Sequence, residues 1–495
     1  NLHTSQKFIY KGRFMEKEVP LYRTVYHKIV DRILSGAFPT GYQLSSMQNI
    51  TARYDVGYTS LRHAFRLLKE DGFIEMEERK RPLVIFDPSD PKCAAVRRRV
   101  FMQRMGAQLD CYRALPNIIP GMAVQGAKNA DPALIEKLTC LVRDSAPATN
   151  RNELLNEVHR YVKVLLDSTG NGLVQDLFFQ ILGFDMLRNI VADCAPLMQG
   201  EQEAMTSFLN HLTLLIRDGQ HPQLHTLLFL CYQQAYFELS REFSALPIDS
   251  DIEPMAFKWL VHQSPMPLYH RVAYDLLRMA QSEGFVPGDF FPSEGALMER
   301  YAVSGVTVRT ALAFLSSLGF AQAVNGVGTK FISEYQFSPQ KEAYLKEYFE
   351  ALEILSSCSR AFAISACDNC THEDIAQLKL EMEQYRNRNG LLVFLIKYFL
   401  NTLSSPALGH IFDQLESRLI FGIFINDIQH GERQKAYLEN MHTAALKCLD
   451  QLEKRTIEEF TAQFSELFDG TYRSSKARLE RLQQAATEET DPTSE

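Results

Sequence analysis

Pro20-Leu21-Tyr22 returns as Pro267-Leu268-Tyr269, an offset of 247 residues that continues without a gap. At that offset Val25 falls on Val272, Gly41 on Gly288, Ser46 on Ser293, and Arg53-Tyr54 on Arg300-Tyr301. Val56 falls on Val303, Arg62 on Arg309, Ala64 on Ala311, Leu68 on Leu315, and Gly72-Phe73 on Gly319-Phe320. Between 20 and 74, 16 of 55 positions are identical at this one register, too many for chance. The chain is a tandem of two similar halves, and a repeat of this kind decides the architecture before any single element does.

Each copy reads as three short helices and a hairpin. Val25, Ile29, Ile33 and Leu34 form an apolar stripe that predicts a first helix over 22–35, stopped by Pro39 and Gly41. A second helix is predicted over 46–54 and a third over 59–71. In the third, Leu61, Ala64, Phe65 and Leu68 stand at i, i+3, i+4 and i+7, as do Val308, Ala311, Leu312 and Leu315 in the second copy. Gly72 and Gly319 sit where those helices would stop. Val324, Val327, Phe331 and Ile332 around Asn325-Gly326 predict a hairpin.

Two helices joined by a brief turn and followed by a hairpin make a winged helix-turn-helix. Its third helix fits the major groove of DNA and its wing reaches the phosphates. The outward face of the third helix then supplies the contacts: Tyr58, Thr59, Ser60, Arg62, His63 and Arg66 in the first copy, Ser304, Thr307, Arg309 and Thr310 in the second. The wings add Arg79, Lys80 and Arg81 in the first copy, and Asn325, Gly326, Gly328, Thr329 and Lys330 in the second. Three adjacent cations in one wing can release counterions together.

The residues also resemble a known family. Pro292-Ser293-Glu294, Val308-Arg309-Thr310-Ala311-Leu312 and Gly326-Val327-Gly328-Thr329 are similar to the motifs of GntR-family bacterial transcription regulators. The first copy is more eroded, with Ser45-Ser46-Met47, Leu61-Arg62-His63-Ala64-Phe65, and Glu78-Arg79-Lys80-Arg81-Pro82 in place of the glycine wing. Both copies depart where the family usually places an Arg just before the third helix: Tyr58 and Gly305 stand there. The resemblance implies a homodimer-like arrangement of two winged domains on a two-fold operator, here supplied by one chain.

The segments after each winged copy read as helical, with little strand alternation. Leu173, Leu177, Phe178, Ile181 and Leu182, with Leu187 and Ile190 beyond, mark one amphipathic helix; Leu408, Ile411, Phe412, Leu415 and Leu419 mark its counterpart. The segment 161–174 resembles the helical effector domain of the FadR-type branch. There many relatives bind a metal through an Asp and a His; aligned on Thr169-Gly170-Asn171, those positions hold Val158 and Val162, and Leu392 and Ile396 in the second half. The resemblance therefore implies no metal of the family kind and a mostly apolar effector pocket. Residues 87–91 read as a linker, 247–267 as the connector between halves, and the polar tail from 483 as disordered.

The expected fold is mainly α: winged domains at 19–87 and 265–335, each followed by an all-helical bundle domain at 92–250 and 338–482, with a tail at 483–495. Residues 7–104 carry 19 Lys and Arg against 11 Asp and Glu, whereas 265–335 carry 5 against 6, in a chain of net charge −8. One basic block in an acidic chain points to a polyanion. Nine cysteines in 495 residues are too few for a secreted disulfide scaffold, so a reducing cytoplasm is expected. The most apolar run, 391–400, is broken by Lys397, so no membrane span is expected. Arg97-Arg98-Arg99 reads as the surface of an opening helix. Cys367, Cys370 and His372 have ligand-like spacing but lack the second pair a structural zinc needs. His221 and His225 share a helix face without a partnered acid. The single Trp beside 32 Phe and 20 Tyr carries no information by itself.

No nucleophile elbow, phosphate-binding glycine loop or dinucleotide fingerprint is present, so catalysis and cofactors are not expected. The expected function is a cytoplasmic sequence-specific DNA-binding transcriptional regulator. Its partners would be a double-stranded DNA operator and a small-molecule effector held in the helical domains, and it would act as a monomeric pseudo-dimer or a homodimer. The alternative is a metabolite-sensing or protein-interaction scaffold whose degenerate winged domains no longer bind DNA, motivated by the missing Arg before each third helix.

Overall fold

The computed structural model describes residues 21–34, 37–54, 57–77, 80–87, 90–191, 198–246, 252–261, 267–332, 339–386, 390–402, 405–427 and 431–489. The first winged unit comprises α1 (Leu21–Leu34), α2 (Met47–Tyr54), α3 (Tyr58–Glu70), β1 (Ile74–Glu75) and β2 (Leu83–Val84). Six helices follow: α4 (Ala94–Lys128), α5 (Pro132–Arg143), α6 (Arg151–Ser168), α7 (Gly172–Val191), α8 (Glu201–Arg217) and α9 (His221–Ser244). The second winged unit comprises α10 (Leu268–Glu283), α11 (Glu294–Tyr301), α12 (Gly305–Ser317), β3 (Ala321–Val324) and β4 (Gly328–Phe331). Helices α13 (Pro339–Asn369), α14 (His372–Met382), α15 (Leu391–Thr402), α16 (Pro406–Asp427), α17 (Gly431–Glu453) and α18 (Ile457–Glu489) complete the chain. The fold is mainly α and built in tandem, as the repeat predicts.

The offset of 247 survives in three dimensions. Ile74 pairs with Val84 and Ala321 with Phe331, each antiparallel. Gln43 bridges Leu83 as Phe290 bridges Lys330. The Gly41 amide donates to the Val84 carbonyl at 2.8 Å, and the Gly288 amide to the Phe331 carbonyl at 2.9 Å. Both glycines have positive φ, +83° and +109°, where a side chain would be strained. A hydrogen-bond register retained this closely follows from retained apolar alternation, because a one-residue slip would turn every buried side chain outward.

Each winged unit closes its own core, around Leu61, Phe65 and Phe73 in the first and Val308, Leu315 and Phe320 in the second. The two helical segments do not. Their buried residues form a single apolar cluster that contains Leu115, Ile119 and Leu165 of the first half with Leu355, Phe362 and Phe399 of the second. Boundaries at 250 and 338 thus cut a continuous core. Helix α4 crosses α13 closely, and a Cβ on Gly121 would lie 2.0 Å from the Ser357 carbonyl oxygen. Only glycine permits that approach.

The helix ends at this seam are capped across it. Asn171 accepts the Val174 amide at 3.0 Å, while its side-chain amide donates to Glu353 at 2.8 Å and to the Glu350 carbonyl at 2.9 Å. Gly172 donates its amide to Glu350 at 3.1 Å. Reciprocally, Asp110 of α4 accepts the Ala407 amide at 2.5 Å and the Ser405 hydroxyl at 2.8 Å at the start of α16. A carboxylate from the leading helix of each half therefore neutralises the positive N-terminus of a helix in the other.

One sequence expectation is extended and one corrected. The connector between halves is also part of the core: Phe257, Trp259 and Val261 are buried, and Trp259 is wholly so. Its indole donates to Asp176 at 2.9 Å, its carbonyl lies 3.3 Å from His410 Nε2, and the neighbouring Leu260 exchanges two hydrogen bonds with Gln180. Prolines signal the absence of helix, not of burial, and the one Trp is the wedge that joins first half, connector and second half. The tail is helical as far as Glu489. Polarity suggested disorder there, but Gln, Ala and Glu are strong helix formers that extend α18 without needing a core. Residues 490–495 lie outside the described residues, and so do the side chains of Leu187 and Ile190.

Candidate nucleic-acid interface

Helix α3 buries Leu61, Ala64, Phe65 and Leu68, which turns Tyr58, Thr59, Arg62 and Arg66 outward. Arg62 is exposed and has no polar partner among the described residues. Arg66 makes only a loose pair with Glu70 at 3.8 Å. Ser60 is half-buried. His63 turns back to stack on Tyr22 of α1, ring centroids 3.8 Å apart, so it braces the unit as well as lying near its face. In the wing, Lys80 pairs with Glu77 at 2.5 Å and Arg81 is exposed; Arg79 lies outside the described residues.

The equivalent face of α12 is chemically quiet. Ser304 caps the helix, accepting the Thr307 amide at 3.2 Å, and its hydroxyl also meets the Thr307 hydroxyl at 3.0 Å. Thr310 returns its hydroxyl to the Val306 carbonyl at 2.9 Å. Arg309 is held by Glu294 at 3.1 Å, and a Cβ on Gly305 would lie 3.4 Å from its guanidinium. What the surface presents instead is apolar: Val306, Val327, Phe290 and Met298 are all exposed. Asn325, Gly326 and Val327 form the turn of the second wing, and Gly328, Thr329 and Lys330 open its return strand. Sequence reasoning missed the apolar rim because it searched the third helix for hydrogen-bond donors alone.

Arg99 is not a simple surface residue; it pairs with Asp71 at 2.8 Å and ties the first winged unit to α4. The docking seams differ in charge. In the first, Asp31 of α1 meets the buried Arg104 of α4 at 2.5 Å. Burial, with Arg104 and Arg23 nearby, lowers the His27 pKa to about 3, and burial lowers Lys28 to about 8. In the second, Arg278 of α10 lies 3.9 Å from Glu416 of α16, which also pairs with Lys397. Burial raises Asp275 to about 6 despite the arginines around it.

Lys397 and Glu416 also line a small, partly open pocket with Leu355, Val393, Ile396, Phe412 and Leu419. Val158 and Val162 are buried core residues. Among the described residues no three His, Cys, Asp or Glu side chains converge as metal ligands would. Cys367 and Cys370 sit at the end of α13, their carbonyls bound by Arg455 and the Cys370 thiol raised to about 11 by burial. No helix among the described residues is long and apolar enough to cross a membrane.

A family model described as "Bacterial regulatory proteins, gntR family" matches residues 21–84 and 268–331. Both boundaries are displaced by the same 247 residues. No curated protein matches the chain. Among solved structures, E. coli McbR/YncC is 17% identical, covering 43% of this chain and 99% of its own, with a TM-score of 0.27. Streptococcus agalactiae GntR is 14% identical over 43% of this chain and 98% of its own, TM-score 0.22. These overlaps are too low to bear on the architecture, which rests on the elements described above.

Proposed function

We propose that this chain, which matches the gntR-family DNA-binding model twice, is a GntR-type transcription regulator and that one chain acts as a complete pseudo-dimer. Two unlike winged domains would engage the two half-sites of one operator in the cytoplasm. The observation that carries this reading is the single core shared by the two helical segments, with its reciprocal capping by Asp110 and by Glu350 and Glu353. Such a seam is what a homodimer builds between subunits; here it lies within one polypeptide. Covalent linkage raises the effective concentration of the second winged domain to about millimolar, so even a weakly charged copy engages once the first is bound.

The reading includes a small-molecule effector held among the helical segments near Lys397 and Glu416, where the walls are mostly apolar. Glu416 is shared between Lys397 on the pocket wall and Arg278 on α10, so a ligand that displaces either partner acts on the second winged domain's seat directly. A coupling of about 1–3 kcal/mol is ordinary for such linkage. The division of labour favours the first copy as the grip on DNA, because its cations face outward while Arg309 is spent on Glu294.

The test is the stoichiometry on DNA. Fragments selected from genomic DNA by the protein should bind one chain per site, read by light scattering, with affinity falling steeply as salt rises. A two-chain particle with four winged domains overturns the pseudo-dimer. Absence of any salt-sensitive DNA binding favours the scaffold reading instead.

A further inference from the structure

We propose that Val306, and Thr59 at the equivalent position of the first copy, read the 5-methyl group of thymine, and that in the second half-site this methyl contact is the main source of base discrimination. The inference rests on the DNA-binding reading above and adds which base chemistry each half selects.

Thr59 and Val306 are related by the 247-residue offset and occupy the second position of α3 and α12. The N-terminal residues of a groove-inserted helix are those that reach base edges. Val306 is 66% exposed, unusual for a valine with nothing covering it, and Thr59 is exposed too. Both carry a methyl on a β-branched carbon, a side chain held stiffly on a helix. The polar alternatives on α12 are committed elsewhere: Ser304 and Thr307 to each other, Thr310 to a carbonyl of its own helix, Arg309 to Glu294. What remains to meet the groove floor is an aliphatic methyl, and the one aliphatic feature there is the thymine methyl. Gly305 immediately before Val306 adds no bulk to hold the helix end away.

The experiment amplifies the selected genomic fragments twice, once with thymidine and once with deoxyuridine triphosphate, which removes the methyl and leaves base pairing intact. Wild-type protein should bind the thymine DNA more tightly, by about three- to fourfold for each methyl buried. Val306→Ala should weaken binding to thymine DNA by a similar factor and bind uracil DNA as wild type does. Val306→Thr, which keeps a methyl, should restore most of the discrimination, and Thr59→Ser should remove the first copy's share while keeping its hydroxyl. If Val306→Ala binds both DNAs as wild type, or weakens both equally, the proposal is overturned while the regulator reading stands. If no variant and no DNA shows binding, the regulator reading itself has failed.

Discussion

In the first winged domain the third helix shows Arg62 and Arg66 to solvent, and in the second the equivalent helix shows Val306 and an arginine already neutralised by Glu294. The backbones beneath are related residue by residue, down to the bridges Gln43–Leu83 and Phe290–Lys330. Their seats on the helical core are inverted in charge: Lys28 and Asp31 in the first become Asp275 and Arg278 in the second, at the same offset. Packing constrained the buried side of each copy, while the exposed side and the seam were free to diverge.

The comparison breaks most readily at the DNA face. Arg62→Glu should cost about 1–3 kcal/mol of DNA affinity, about 5- to 150-fold, and flatten its salt dependence, as read by fluorescence anisotropy at two salt concentrations. Arg309→Glu should change affinity less than about threefold, because the guanidinium is already paired; equal losses in the two variants would show that both copies grip DNA alike.

A second test addresses the seams. Asp31→Arg places a cation against the buried Arg104, and Arg278→Asp places an anion against Glu416. Each should destabilise its own winged unit by about 1–3 kcal/mol, measured by hydrogen exchange of α1 and α10 separately. Loss of protection in both units from either single variant would show that the seams are coupled rather than independent.

A pH change should act with opposite signs in the two halves. Folded His27 stays neutral to about pH 3, whereas the unfolded chain protonates near 6.5, so the first unit loses stability as pH falls below 6.5. Folded Asp275 holds its proton to about pH 6, against 3.8 when unfolded, so the second unit loses stability as pH rises from 3.8 through 6. Acidification from pH 7 to 5 should therefore loosen α1 and tighten α10 in the same exchange experiment; a parallel change in both would contradict the inversion.

Much of this was legible in the chain. The i, i+3, i+4, i+7 apolar sets of α3 and α12 marked both third helices, and the 16 identities at one offset marked the duplication. The candidate DNA-facing positions were legible as positions, not as states: nothing in the sequence spacing shows that Glu294, fifteen residues away, captures Arg309, or that His63 turns back onto Tyr22.

Periodicity and repetition are local or register properties, so the linear chain alone determined the two winged domains, their helical surroundings and the unequal charge of the two halves. Which side chains remain available for DNA, how Trp259 came to lock connector to core, and that the two helical segments share one interior were decided only by the tertiary structure. Those outcomes depend on contacts between residues tens to hundreds of positions apart, and burial or ion pairing at such separation is set by where the helices cross, not by what lies beside each residue in the chain.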